Sequence, residues 1–182
     1  MRMAGNDYRF VTHWRVQGTC IEVSDVLENV REFPRWWPSV YLDVKILRPG
    51  RLHSLGEEAS LLTRGWLPYT LRWDFTVVEQ RYPNGSVLEA RGDFDGRGEW
   101  IIEQDGPMVN ATYVWDVKAE KPLLRTLTPV LRSIFAANHD WAMRMGERSL
   151  NLELQRIHAR TESERLAVPP PPGPTFHRRR AR

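Results

Sequence analysis

Cysteine is nearly absent from the chain. Cys20 stands alone in the 182 residues, so an intramolecular disulfide is excluded, and the thiol reads as the buried structural group that free Cys usually is. A nucleophilic role would require a His and a polar orienter close by. No apolar run approaches the roughly 18 residues that span a bilayer. No basic start leads into an apolar stretch of the secretory kind, and the expected location is the cytoplasm. Lysine is scarce beside arginine, a compositional hint of a GC-rich bacterial genome. Acidic residues are missing from 167–182, where Arg178, Arg179, Arg180 and Arg182 lie. Without these four arginines, 22 basic residues face 23 acidic ones, a net of −1, so the overall +3 belongs to the tail. Nucleic-acid-binding domains carry positive charge on a folded face, so no nucleic-acid partner is expected.

What the chain does have is aromatic surface to bury. It is 41% hydrophobic and 10% aromatic, with eight tryptophans, a globular composition suited to cores and to amphipathic ligand sites. Pro169–Pro172, Gly173 and Pro174 neither continue a helix nor offer much to bury. Residues 1–166 therefore read as a single domain and 167–182 as a disordered tail.

Alternation predicts strands. Tyr8, Phe10, Thr12, Trp14 and Val16 share one face of the first, over Tyr8–Gln17. Helical spacing follows over Cys20–Val30, with Ile21, Val26, Leu27 and Val30 apolar, and Glu32–Trp36 forms a second short helix that Pro38 ends. Six further strands are predicted at Val40–Leu47, Glu57–Trp66, Tyr69–Arg81, Ser86–Phe94, Gly98–Glu103 and Met108–Lys118. Turns part them at Pro49-Gly50, Leu67-Pro68, Tyr82-Pro83-Asn84-Gly85, Asp95-Gly96 and Asp105-Gly106. Short links between strands imply an antiparallel meander. Pro122 opens the last segment, where Leu124, Leu127, Leu131, Ile134, Phe135, Trp141, Ala142 and Met145 recur at three and four. Pro129 is expected to interrupt it, with the main helix running from about Pro129 to about His158. Roughly 30 residues at 1.5 Å each make it about 45 Å long.

The order strand, two short helices, six strands, long C-terminal helix is the helix-grip layout, an α+β class. Val26–Pro38, with its Trp36-Trp37-Pro38 ending, resembles the early helix pair of the polyketide cyclase/dehydrase and lipid-transport superfamily, also called SRPBCC or START-like. Ala137–Leu150 is similar to the C-terminal helix of a bacterial subgroup, and the resemblance covers about residues 8–158. It implies a seven-stranded curved antiparallel sheet wrapped on the long helix, with a cavity between them for lipids, polyketides or aromatic metabolites. Some members of this superfamily catalyse cyclisation or dehydration and others only bind or carry. Related iron-binding domains use two His and a carboxylate. His13, His53, His139, His158 and His177 offer no such pair at helical spacing, so no metal and no other cofactor is expected.

Within that layout Trp14, Trp73, Trp100 and Trp115 lie on the apolar strand faces and Phe135, Asn138 and Ala142 on the helix, as candidate ligand contacts. Core filling is the alternative for each tryptophan. Asn138 and His139 interrupt an apolar helix face, and a buried polar group costs about 1–3 kcal/mol unless paired. Asn138 is expected to bond a ligand oxygen or a strand backbone. His139 and Tyr113 are candidate acid–base groups, the alternative for His139 being a structural contact with Trp36 or Trp37. Arg72 and Asp74 alternate with Trp73 and Phe75 and read as solvated, as do Glu57, Glu58, Arg64, Arg91 and Arg97. Three functions follow: carriage of a small hydrophobic molecule, a cyclase or aromatase-like dehydratase, or a protein-interaction module with a vestigial pocket, which homodimer formation through an exposed Trp36-Trp37 would favour.

Overall fold

The computed structural model describes residues 7–119 and 129–175, and alternation of apolar and polar side chains builds its sheet. The strands are β1 (Asp7–Gln17), β2 (Tyr41–Arg48), β3 (Glu58–Thr63), β4 (Leu71–Gln80), β5 (Gly85–Gly92), β6 (Phe94–Asp105) and β7 (Met108–Ala119). They form one curved antiparallel sheet in the order β1-β7-β6-β5-β4-β3-β2. On β4, Leu71, Trp73, Phe75 and Val77 are buried while Arg72 and Asp74 face solvent. β7 repeats the pattern with Ala111, Tyr113, Trp115 and Val117. β1 pairs with β7 from Asp7↔Lys118 to Gln17↔Met108, which carries the N-terminal strand back to the last one.

β6 is longer than expected. Asp95 pairs with Lys118 and Gly96 with Val117, so Asp95-Gly96 is strand and not turn. The glycine serves close approach, since a Cβ there would collide with the Asp116 carbonyl. The chain turns instead at Asp93, which accepts a bond from the Arg72 backbone N–H at 2.8 Å.

Two short helices, α1 (Cys20–Glu28) and α2 (Phe33–Trp36), follow β1, with a 3₁₀ turn at Val30–Glu32 between them. Thr19 and Glu22 cap α1 reciprocally: Thr19 Oγ1 accepts from the Glu22 N–H at 3.2 Å, and Glu22 Oε2 from the Thr19 N–H at 2.8 Å. With the helix started there, Cys20, Val23, Ser24 and Val26 turn inward. Ile21, expected on the buried face, is 53% exposed.

The long helix α3 (Pro129–His158) lies across the concave face. It buries Phe135, Asn138, Met143, Gly146, Leu150 and Leu154, whereas Ile134 is exposed and Trp141 and Met145 are half-buried. The expected stripe is rotated because Trp37 and Trp14 press on the helix at Gly146. A Cβ there would collide with the Trp37 ring and come within 2.7 Å of Trp14. Near the end of α3, Arg35 grips the buried Glu153 through both carboxylate oxygens, at 2.9 and 2.6 Å.

A further short helix, α4 (Glu162–Ala167), capped by Thr161, occupies the end of the expected domain and the first residue of the expected tail. Arg156 then donates to the Pro169 carbonyl. Pro122, Leu124 and Leu127, and the tail's His177, Arg178, Arg179, Arg180 and Arg182, lie outside the described residues.

Candidate functional site

Between the concave face of the sheet and α3 lie two chambers of about 90 and 100 Å³. Both are lined by Trp37, Tyr41, Trp73, Tyr113 and Met143, which form the waist between them. Trp37 ends α2, where its N–H donates to the Phe33 carbonyl at 2.7 Å. The Trp73 ring is fixed by its Nε1, which donates to Thr63 Oγ1 at 3.1 Å, and by Trp115 at 5.5 Å between ring centroids. Tyr113 lies against Trp100 at 4.5 Å. Burial raises the pKa of both waist phenols, and at Tyr113 the neighbouring Tyr41 adds to the effect. Both hydroxyls therefore stay protonated inside an apolar cleft, where either can donate to an oxygen.

The first chamber is rimmed by Ser24, Glu28, Ser54, Glu57, Gln80 and Ser86. Glu28 Oε1 accepts from Ser24 Oγ at 3.3 Å and from Gln80 Nε2 at 3.0 Å. Its Oε2 lies 3.5 Å from His53 Nδ1. His53 stacks on Tyr82 at 3.6 Å, and its carbonyl accepts from Gln80 Nε2 at 2.6 Å. These contacts hold His53 and Ser54 at φ 52° and 60°, left-handed values that cost non-glycine residues about 1–2 kcal/mol each. Burial pushes the Glu28 and Glu57 carboxyls above their ordinary range. Glu28, Ser54 and Glu57 also face an outer vestibule with Asp25, Asn29 and Arg31, so this end is the mouth.

The second chamber is closed by α3 and by the link between β3 and β4. Asn138 Oδ1 accepts from the Leu67 N–H at 3.2 Å, and the loop approaches so closely that a Cβ on Gly65 would collide with the Asn138 amide. Asn138 thus bonds loop backbone, the second of its expected partners in kind. His139 stacks on Phe10 at 4.1 Å, not on Trp36 or Trp37. Burial drives its pKa down to about 4, which leaves a neutral ring at pH 7. Its Nε2 is buried without a hydrogen-bond partner among the described residues.

Trp73 and Tyr113 face both chambers, Trp100 the first, and Trp115, Phe135, Asn138, His139 and Ala142 the second. Trp14 lies off the lining, wedged against Trp37 at 5.4 Å and Trp100 at 5.0 Å. Trp36 and Trp37 are 1% and 3% exposed, so the exposed pair proposed as a dimer contact does not exist. Glu57 and Arg64, expected among the outer charges, line the first and second chambers respectively. Glu57 carried a readable signal, since it shares strand parity with the inward-facing Ala59, Leu61 and Thr63. Arg64 follows the last residue of β3, beyond the reach of alternation. Trp37, Tyr41 and Glu28 went unassigned because helix ends and a strand start position them, where the pattern is too short to set a face, and Met143 was missed because the stripe of the long α3 is rotated from the expected one.

No family model matches the sequence, and no curated protein is significantly similar to it. Solved structures are similar in shape. A START superfamily protein from Mycobacterium smegmatis superposes with a TM-score of 0.65 at 12% identity, over 82% of this chain and 98% of that one. The Zhui aromatase/cyclase from Streptomyces sp. R1128 gives 0.65 at 17%, over 84% and 97%. The di-domain ARO/CYC BexL gives 0.57 at 13%, over 86% of this chain and 51% of that one. At such identities the likeness concerns architecture alone, and that architecture is the START-like helix-grip fold.

Proposed function

We propose that this protein binds a small, uncharged, aromatic or polyketide-like molecule in the cytoplasm, and holds it in the cleft between sheet and α3. The observation that carries the reading is the waist, where Trp37, Tyr41, Trp73, Tyr113 and Met143 join two apolar chambers. Ligand pockets combine apolar walls with a few oriented polar groups, and the waist supplies both. Each chamber approaches the scale at which an apolar cavity of about 150 Å³ accepts one benzene ring. A ligand of two or three fused rings fits the pair. The lining carboxyls of Glu28 and Glu57, the phenols and His139 all shift toward their neutral forms, which favours an uncharged guest in the first chamber, while Arg64 on the second chamber's lining can meet an oxygen of that guest.

The test is native mass spectrometry after incubation with 2-naphthol, an anthraquinone, palmitate and cholesterol, with thermal shift in parallel. Stoichiometric retention of the uncharged aromatics ahead of palmitate is expected. No retention and no thermal shift across the panel would sink the reading.

A second reading, dehydrative cyclisation, is favoured by Tyr41 and Tyr113, which both line the waist and whose hydroxyls can bond the oxygens of a folded polycarbonyl chain. Incubation with a linear poly-β-ketone thioester analogue should then yield a cyclic product lighter by one water. Recovery of the unchanged analogue leaves binding alone.

A further inference from the structure

We propose that residues 44–56, beside the mouth of the first chamber, dock on a bilayer surface containing anionic lipid. In this segment Leu47, Leu52 and Leu55 are 49%, 80% and 37% exposed. Interleaved with them stand Lys45, Arg51 and Arg48, the last paired with Glu58 of β3, and no acidic residue occurs between 44 and 56. Apolar side chains that enter the headgroup region, flanked by cations, are the elements of interfacial binding to anionic lipid. Two other exposed apolar side chains lack that setting: Leu166 sits in a helix with Glu162 and Glu164, and Ile21 stands beside Glu22.

The segment is held in place from within. Gln80 donates to the His53 carbonyl, and His53 is clasped between Glu28 and Tyr82. The left-handed His53-Ser54 pair directs Ser54 to the chamber, while Leu52 and Leu55 remain outside. Membrane-facing leucines and the chamber rim thus belong to one short loop. A second copy of the chain is a poorer occupant, because a two-fold contact would set Lys45 and Arg51 against their own copies. No helix among the described residues is long and apolar enough to cross a membrane, so the contact is peripheral. The purpose of the docking, exchange of an apolar guest with the bilayer, rests on the binding reading above; the docking itself does not.

The test is co-sedimentation of the full chain with phosphatidylcholine vesicles, with and without phosphatidylglycerol. Binding should require the anionic lipid and weaken with salt. Arg51→Glu should lower the partition by at least about tenfold, since each charge at the surface is worth about fivefold. Leu52→Glu should lower it similarly, and Leu166→Glu should leave it unchanged. Fluorescence of 1-aminoanthracene in vesicle-free buffer follows the cavity separately. Vesicle binding with no dye binding supports the docking surface and counts only against the cavity reading. The proposal is overturned if phosphatidylglycerol vesicles bring down no protein. It is equally overturned if Arg51→Glu and Leu52→Glu sediment like the parent, which would assign the contact to another part such as the arginine-rich tail. Light scattering that shows a parent dimer broken by Leu52→Glu also overturns it, since the occupant would then be a second copy.

Discussion

The central cleft and the clasp at the end of α3 treat ionisable groups in opposite ways. Burial raises a carboxyl's pKa in both places. In the cleft nothing outweighs it: Glu28 and Glu57 are pushed up, and His139 is pushed down. At the clasp the Arg35 fork and the nearby Arg156 win, and Glu153 is held below its ordinary value. The same desolvation therefore shifts groups toward their neutral forms in one region and is overcome by a charge pair in the other. The deciding factor is a bidentate partner, whose two charge-assisted bonds recover what burial removes. A cleft that favours neutral forms is suited to an uncharged guest, and a charged clasp is suited to locking a helix end.

Four changes sharpen the contrast. Glu153→Ala has the largest expected effect. It leaves two arginines facing an empty site, and breaking such a pair costs about 3 kcal/mol, the low end for buried pairs because Arg35 is half-exposed; urea denaturation at neutral pH measures it. Next is the acid response of His139. Its folded pKa lies below the unfolded 6.5, so its contribution is complete above pH 6.5 and is lost as pH falls toward about 4. About 2.5 kcal/mol should disappear across that window, and His139→Gln should remove this part of the pH dependence. A flat profile in the parent would contradict the buried neutral ring.

Glu28→Gln should leave stability at pH 7 unchanged or raise it by up to about 1 kcal/mol, since the ionised form is the one that burial disfavours. The sign is opposite to that of Glu153. A carboxyl with a raised folded pKa gains stability as pH falls from that value toward the unfolded 4.5, and the Gln variant lacks the gain. A loss comparable to that of Glu153→Ala would erase the distinction between the regions. Asp74→Ser, on the outer face of β4, should change stability by no more than about 0.5 kcal/mol in the same denaturation experiment.

The sheet was legible because half-buried strands write their burial into a period of two. Trp73, Phe75 and Val77 against Arg72 and Asp74 required nothing else, and the range of α3 followed from its apolar spacing. The rotation of α3 was not legible. It depends on Gly146 yielding to Trp37 and Trp14, a contact between residues more than 100 apart along the chain. The cleft lining was legible in part: strand parity brought Trp73, Tyr113 and Trp115 to it, and would have brought Glu57 as well. Trp37, Tyr41 and Glu28 reach the cleft from helix ends and a strand start, where the local pattern is too short to set a face. Trp14 has the right parity and still misses the cleft, because parity gives a face and not a position along it.

The most direct measurement uses ¹⁹F NMR of the protein labelled with fluorotryptophan at its eight tryptophans, titrated with 2-naphthol. The resonances of Trp37, Trp73, Trp100 and Trp115, which line the chambers, should shift together and saturably, while those of Trp14, Trp36, Trp66 and Trp141 stay in place. Shifts confined to the second set, or no saturable shift at any tryptophan, would contradict a ligand-binding cleft between the sheet and α3.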